Sequence, residues 1–410
     1  MKHFKVVIVI GFIIMYSSVA LAAKQKSACI DCHKKVTPGV VQQFFEGKMS
    51  KKGVDCSSCH GSEHKKMDDA KLAKMPTPET CAGCHQKQTD QFKAGKHNLA
   101  WIASSSMPMM GHQPKAIAGE GYKGCSSCHK IGVQPDAAKT NYRYGHAQCD
   151  SCHTRHSFKK SEAQDPRACQ TCHMGFDHPQ WEMYSTSKHG TIWQIEGNKS
   201  RRAPTCQTCH MNGGDHNVMT SWGFLALRLP EEDKDWMNDR VAILQALGVL
   251  DDKGAPTARL DLVKAGKVAR LTKEEFQKER DKMINICAQC HGKEYAKGQL
   301  DAADMVVRDV DKIMAEAIRL VQGLYGDGTL QKPADWAFAP DLLQFYEAKT
   351  AIEQDLYVMF LEYRMRAFEG AFHMNPDYMH WYGWAPMKET LQKMKDEAGK
   401  LRAEKTAAKK

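Results

Sequence analysis

Apolar residues recur at helical spacing in the carboxy-terminal part of the chain. Within residues 302–324 they return every three or four positions, at Met305, Val306, Val310, Ile313, Met314, Ile318 and Val321. Residues 341–372 predict a second long helix, which Asn375-Pro376 ends, and residues 377–400 predict a third helix that contains a proline. The exposed faces of such helices favour docking between subunits, although a bundle packed on its own chain has the same periodicity.

The region before these helices has a different pattern. Between residues 29 and 216 short segments alternate with loops rich in Gly, Pro and polar residues, and the alternation typical of strands is rare. We therefore predict a mainly α fold with sparse strand. It comprises a loop-rich domain at 23–292 and a helical carboxy-terminal domain at 293–410.

The amino terminus predicts a secretory signal peptide over residues 1–22. Lys2 and Lys5 precede an apolar run at 6–15, and the small-residue site Ala20-Leu21-Ala22 follows. The run is short for a bilayer span, so cleavage is favoured over an uncleaved membrane anchor. The mature protein is expected in the periplasm.

The cysteines form eight copies of one pattern, C-x-x-C-H, which is the attachment signature of c-type haem. Two thiols bind one porphyrin, and the adjacent imidazole reaches its iron. The pattern uses all 16 cysteines: Cys29, Cys32, Cys56, Cys59, Cys81, Cys84, Cys125, Cys128, Cys149, Cys152, Cys169, Cys172, Cys206, Cys209, Cys287 and Cys290. The motif histidines are His33, His60, His85, His129, His153, His173, His210 and His291.

Zinc sites and disulfides are the alternatives for these cysteines, but neither requires a histidine after every second cysteine. Eight c-type haems are therefore predicted. Their propionates also account for most of the formal net charge of +10, so we expect no nucleic-acid partner. Short connections between the motifs bring successive haems close together, as an electron relay requires.

The remaining histidines supply the second iron ligands. Removing the motif histidines and His3 from the 19 histidines leaves ten, enough for an electron carrier with eight doubly ligated irons or an enzyme with one open iron. Seven lie in short loops beside motifs and are predicted as distal ligands: His64, His97, His112, His146, His156, His189 and His216. His178 follows Asp177, a pairing better suited to orienting a charged substrate and moving protons.

The eight motifs, the segment MGFDHPQWEMYSTSKHG after the sixth and MNGGDH after the seventh resemble the octahaem hydroxylamine oxidoreductase family. The resemblance extends over essentially the whole mature chain. Motifs four to eight are also similar to the pentahaem cytochrome c nitrite reductases, in which a lysine replaces one motif histidine. All eight motifs here keep histidine, which favours the hydroxylamine oxidoreductase branch.

The resemblance implies that the haem of motif four is catalytic, with His129 as its only protein ligand and with Asp177 and His178 lining its open face. In oxidising members a tyrosine from a neighbouring subunit is bonded to this porphyrin. In this chain the candidates for that tyrosine are Tyr378 and Tyr382, and Tyr378 is the one predicted. His380 or Trp381 could instead occupy the position of the crosslinking tyrosine. The resemblance also implies a homotrimer.

The expected function is interconversion of nitrite, hydroxylamine and ammonia, with the reductive direction favoured. Two alternatives remain open: hydroxylamine oxidation at a tyrosine-crosslinked haem, and a non-enzymatic electron conduit. The natural redox partner is a small cytochrome or a quinol-oxidising membrane cytochrome.

Overall fold

The computed structural model describes residues 27–105, 126–134, 148–199, 202–218, 229–265 and 272–410. Helices dominate this part of the chain, and its strand-like pairing is one antiparallel bridge between Leu250 and Pro256. The mainly α class is confirmed. The predicted signal peptide, residues 1–22, lies outside the described residues. No described helix combines the length and the apolar character needed to cross a bilayer.

Short helices occupy the first half of the chain and long ones the second. The α-helices are Ala28–Val36, Pro38–Glu46, Cys56–His60, Pro78–Ala94, Ala100–Ser105, Ser126–His129, Lys160–Ala163, Arg167–Gln170, Gln180–Thr186, Lys188–Glu196, Cys206–His210, Lys234–Ala246, Ala258–Ala265, Lys273–Cys287, Lys293–Gly326, Ala351–Val358, Met365–Phe372, Pro376–Tyr378 and Ala385–Ala408. Two π-helical segments, Met359–Arg364 and Met379–Trp384, join the last four of these into two long rods. The 3-10 turns are Ser50–Lys52, Met67–Leu72, Lys96–Leu99, Cys149–Ser151, Gly197–Lys199, Asn212–Gly214 and Phe345–Glu347.

The chain divides into two compact units. The first contains the described residues 27–73 together with Arg155–Ser157, and the second contains the other described residues. Within the first unit, the backbone N–H of His156 donates to the side chain of Gln43 at 3.3 Å. The boundary at residues 292–293 that was expected from the sequence stays a prediction.

The main apolar core lies in the second unit, around the helix Lys293–Gly326. Val310, Met314 and Ile318 are fully buried along one face of this helix, as the helical spacing predicted. The face packs against Lys234–Ala246 and against the carboxy-terminal rods. The helix begins at Lys293, nine residues before the apolar pattern becomes regular, because its first turns are largely polar.

The second predicted helix begins later than expected, at Ala351 rather than at residue 341. Asp341 instead forms an ion pair with Arg259 at 2.7 Å, and its carboxylate accepts the backbone N–H of Leu343. The helix starts after Thr350, whose side chain forms a capping box with Glu353. The Thr-x-x-Glu signal for this start was present in the sequence.

The third predicted helix is longer than expected and runs from Pro376 to Ala408. Pro386 has no N–H to donate and stands directly after the π-helical segment, where the α-helical hydrogen-bond ladder is already interrupted. Gly383 lets this rod approach its neighbour closely, because a Cβ there would lie 2.3 Å from the backbone nitrogen of Ala367.

A buried ion cluster of Asp311, Arg240 and Arg364 links the core helices. Asp311 is fully buried and lies 2.5 Å from Arg240 and 2.8 Å from Arg364, whose side chains are 2% and 1% exposed. The indole N–H of Trp236 donates to the same carboxylate at 2.8 Å. Burial acts to raise the pKa of Asp311, but the two guanidinium charges outweigh it and hold that pKa below its ordinary value.

We expect Asp311→Ala to lower the free energy of unfolding by about 3–5 kcal/mol, because it leaves two arginines buried without their counter-charge. Denaturant unfolding of the haem-loaded protein measures the loss. The control is Asp355→Ala, which removes a half-exposed ion pair with Lys393 and should cost less than about 1 kcal/mol. Equal losses in the two variants would contradict the prediction.

Candidate haem centres

Several attachment motifs occupy a single turn of helix. Cys56–His60 and Cys206–His210 are such helices, and each follows a residue whose side chain caps the first turn, Asp55 and Thr205 respectively. In a helix, positions i, i+3 and i+4 share one face. Both thiols and the imidazole of such a motif therefore point to the same side, as attachment of one porphyrin requires.

Six motif histidines face a second imidazole at a nearly constant distance. The ring centroids are 6.0 Å apart for His33–His64, 6.2 Å for His60–His156, 6.2 Å for His153–His216, 6.0 Å for His97–His173, 6.4 Å for His210–His373 and 6.1 Å for His189–His291. A metal–imidazole bond is about 2 Å long, so an iron between two imidazoles separates the ring centres by roughly 6 Å. These donor pairs therefore fit bis-histidine haem iron.

Five of the seven histidines predicted as distal ligands belong to these pairs: His64, His97, His156, His189 and His216. The other two, His112 and His146, lie outside the described residues, as does Cys125 of motif four. His112 and His146 remain the candidates for the second ligand of the motif-three iron, opposite His85. In the described part of the chain, no three His, Cys, Asp or Glu side chains converge in the way a metal cluster would require, and no disulfide joins the described cysteines.

His373 is a candidate ligand that the sequence analysis did not select. It ends the helix Met365–Phe372 and lies opposite His210 of motif seven. Its Nδ1 shares a 2.8 Å hydrogen bond with the backbone carbonyl of Glu369. The sequence pattern favours histidines in loops beside motifs as ligands, whereas this one lies far along the chain and is brought back by a long helical rod.

Contacts between cysteine side chains show which motifs are neighbours. In the second unit, hydrogen-bonding contacts join Cys81 to Cys149, Cys169 to Cys206 and Cys172 to Cys128. Electrostatic interactions also link Cys152 with Cys169 and Cys209 with Cys287. Motifs three, five, six, seven and eight therefore form a connected series, and motif four adjoins motif six.

His178 lies opposite the histidine of motif four. Its ring centroid is 6.4 Å from that of His129 and 6.2 Å from that of His173 in motif six. Asp177 contacts the Nδ1 of His178 in a short hydrogen bond, and the imidazole also forms a hydrogen bond with the backbone of Cys172. The predicted Asp177–His178 pair is thus brought to the motif-four centre, at a separation that also matches the axial pairs.

The electrostatics of this pair favour a charged imidazole. Burial acts to lower the pKa of His178, but the hydrogen bond and the charge of Asp177 outweigh it, so the pKa lies above its ordinary value. For Asp177, burial acts to raise the pKa, and the contact with His178 brings it below its ordinary value. Burial lowers the pKa of His129, which suits a neutral ligand nitrogen.

Glu369 is a buried glutamate close to the Asp177–His178 pair. Gln180 donates to the Glu369 carboxylate at 2.9 Å and lies 3.2 Å from Nδ1 of His173. The other carboxylate oxygen of Glu369 has no hydrogen-bond partner among the described residues. Burial raises the pKa of Glu369 to about 8, against the opposing influence of the positive charge on His178. Sequence analysis missed this residue because a glutamate inside a helix carries no local signal.

The tyrosine candidates lie on the last rod. Tyr378 stacks on Tyr382 at 4.8 Å, and Trp381 and Tyr382 are 63% and 51% exposed. His380 stacks on Trp384 at 5.3 Å. The charged groups that act on Tyr378 are Arg366, Glu182 and Glu362. A crosslink to the porphyrin of a neighbouring subunit stays a prediction.

Comparison with known proteins adds four findings: a family, one relative and two solved structures. Residues 25–246 and 257–334 match the family described as "Seven times multi-haem cytochrome CxxCH". A probable nitrite reductase-hydroxylamine oxidoreductase fusion protein of Kuenenia stuttgartiensis is 26% identical; the alignment covers 91% of this chain and 51% of the relative, so the chain spans about half the relative's length.

Two solved structures share the fold. A chain of the reducing HAO-like protein complex of Kuenenia stuttgartiensis superposes with a TM-score of 0.68 at 24% identity, covering 93% of this chain and 86% of that one. A hypothetical multihaem protein superposes with a TM-score of 0.66 at 21% identity, covering 93% and 96%. Both share the mainly helical architecture of this chain.

Proposed function

Because this chain belongs to the family of multihaem cytochromes with C-x-x-C-H motifs, we propose that it is a periplasmic oxidoreductase with eight c-type haems that reduces nitrite or hydroxylamine to ammonia. The observation that carries the proposal is the Asp177–His178 pair opposite His129. The name of the Kuenenia stuttgartiensis relative, which includes nitrite reductase and hydroxylamine oxidoreductase, supports this substrate class.

A haem at motif four would supply electrons and a metal that binds the substrate nitrogen. The protein residues supply charge and protons. A protonated His178 attracts an anion such as nitrite, and Asp177 holds the imidazole in orientation through its Nδ1. Glu369 has its pKa raised to about 8, so it is largely protonated at neutral pH and can hold a further proton close to the pair.

The series of neighbouring motifs supports the delivery of six electrons for each nitrite. Motif six adjoins motif four through Cys128 and Cys172 and continues the series towards motifs seven and eight. Such a store of electrons lets the reaction proceed without release of partly reduced intermediates. A homotrimer and a cytochrome as redox partner belong to the same proposal, on the basis of the family resemblance.

A second candidate function is electron transfer without catalysis. The 6.4 Å between His129 and His178 equals the separation of His210 and His373, so His178 stands where a second axial ligand would be. With both imidazoles bound, the motif-four haem would have no place for substrate. This arrangement would also suit a conduit, in which the motif-four iron is six-coordinate like its neighbours.

Electron paramagnetic resonance of the oxidised, haem-loaded protein separates the two candidates. The proposed enzyme should show one high-spin ferric haem among low-spin ones, and its spectrum should change when nitrite, hydroxylamine or cyanide is added. A spectrum that contains low-spin signals alone, and that does not change when these ligands are added, would establish the conduit instead. A red-shifted absorption band of the reduced protein would identify a tyrosine-crosslinked haem, and with it the oxidising alternative.

A further inference from the structure

The first haem centre carries a repeated pattern of exposed residues. Its two candidate ligands, His33 and His64, lie 6.0 Å apart, and each is followed by two lysines and an apolar residue: residues 33–36 read HKKV and residues 64–67 read HKKM. All four lysines are exposed, and Val36 and Met67 are 49% and 74% exposed. We call Lys34, Lys35, Lys65, Lys66, Val36 and Met67 the lysine collar.

The collar must lie close to the haem edge. A lysine one or two positions from a ligand histidine has its Cα within about 8 Å of the ligand's Cα along the chain. If the two histidines held one haem iron between them, one lysine pair would lie on each side of its porphyrin. The positive charges would therefore flank the same redox group, and both lie within the first unit.

Local stability explains one lysine pair but not the other. Lys34 and Lys35 are in the last turn of the helix Ala28–Val36, where positive charge is favourable. Lys65 and Lys66 instead precede the 3-10 helix Met67–Leu72, where positive charge is unfavourable. The carboxylate of Asp69 accepts both of their backbone N–H groups and contacts His64 at 2.7 Å, so the segment is held in place by its backbone while the ammonium groups project outwards.

The ammonium groups remain available to a partner. Within the described residues Lys34, Lys35 and Lys65 form no salt bridge, and Lys66 reaches Asp68 only at 4.0 Å, with both side chains more than two-thirds exposed. An exposed pair at that distance contributes little. Lysines around an exposed apolar surface form the charged rim and small apolar contact that suit a transient electron-transfer complex.

We propose that the lysine collar is the docking surface for an acidic one-electron carrier protein, which reduces the chain at motif one. The reduced carrier loses one electron and the haem held by His33 and His64 gains it, with no bond or proton transferred. Complementary charge increases the encounter rate by steering, and the effect falls with ionic strength. The inference rests on haem attachment at motif one and not on the substrate of motif four.

The test uses the full-length haem-loaded protein and reduced flavodoxin, an acidic carrier, in stopped-flow without nitrite or hydroxylamine. The second-order rate constant for the wild type should fall as salt rises. At low salt, the variant Lys34→Gln, Lys35→Gln, Lys65→Gln, Lys66→Gln should react at least about 10-fold more slowly. The difference should vanish at high salt, and reduction by the cationic donor hexaammineruthenium(II) should not slow.

The matched control changes the same number of exposed lysines near the carboxy terminus: Lys388→Gln and Lys400→Gln in the helix Ala385–Ala408, and Lys409→Gln and Lys410→Gln directly after it. It should keep the wild-type rate with flavodoxin. An equal loss in both variants would show an effect of net charge alone, and an unchanged rate in the collar variant would overturn the proposal. So would a wild-type rate that does not fall with salt.

A membrane surface is the competing occupant, and one further measurement excludes or establishes it. Sedimentation with phosphatidylglycerol vesicles at physiological salt should recover little of the wild-type protein. If the collar binds the vesicles and the collar variant does not, while the flavodoxin rates are equal, the surface is a membrane site and the proposal fails. Unchanged haem absorption in each variant confirms that the compared proteins are equally folded.

Discussion

Replacing His178 with alanine is expected to lower the kcat for nitrite or hydroxylamine reduction by about 100-fold or more, the usual contribution of a positioned acid–base group. The change removes the imidazole that lies opposite His129 and the positive charge that attracts the anion. Turnover with reduced methyl viologen as electron donor gives the rate. The haem content and the low-spin signals should stay at wild-type values.

The same variant distinguishes an enzyme from a conduit. If His178 is an axial ligand, His178→Ala will create a new high-spin iron and open it to cyanide, and the wild type will have had little activity to lose. If His178 is a proton donor, the high-spin signal is present before the substitution and persists after it. Unchanged turnover in an active enzyme would remove His178 from the mechanism.

Asp177 neighbours His178, and replacing its carboxylate should shift the pH dependence of activity in one direction. Asp177 raises the pKa of His178, so Asp177→Asn should lower that pKa. If the protonated imidazole is the active form, activity is present below this pKa and is lost as the pH rises through it. The variant should therefore lose activity at a lower pH than the wild type. The control Asp252→Asn, the same change on an exposed turn, should leave the pH profile in place.

The attachment chemistry could be predicted from the sequence because it is local. Two cysteines and a histidine within five residues determine which side chains bind one porphyrin, and helical geometry places them on one face. The buried face of the helix Lys293–Gly326 could also be predicted from the sequence, because Val310, Met314 and Ile318 recur at the helical period. Each of these inferences requires only residues that are neighbours along the chain.

The second iron ligands depend on tertiary structure, and there the prediction was incomplete. His373 reaches His210 only because the rods 351–372 and 376–408 pack back on the core, and nothing near His373 in the sequence indicates this. Glu369 was missed for the same reason, since its burial comes from that packing. The start of the second long helix also differed, because Asp341 forms an ion pair with Arg259 and the helix begins only at Ala351.

Replacing His373 with glycine should convert the haem of motif seven from low-spin to high-spin, because it removes the imidazole opposite His210. The porphyrin should stay attached through Cys206 and Cys209, so the haem content is unchanged. Electron paramagnetic resonance should show one additional high-spin iron, and added imidazole should restore the low-spin signal by filling the space left by the side chain.

The consequence for electron flow follows from the order of the motifs. Motif seven lies between six and eight, through the contact of Cys169 with Cys206 and the electrostatic interaction of Cys209 with Cys287. A changed axial ligand shifts the reduction potential of that haem, so electron transfer from the haem of motif eight to the haem of motif six should slow until imidazole is added.

The matched control is His380→Gly, which removes a ring that stacks on Trp384 and should leave every spin state as it was. If His373→Gly keeps all its low-spin signals, another residue binds that iron, and the ring pairs can no longer be taken as a guide to ligation at motif seven or at motif four.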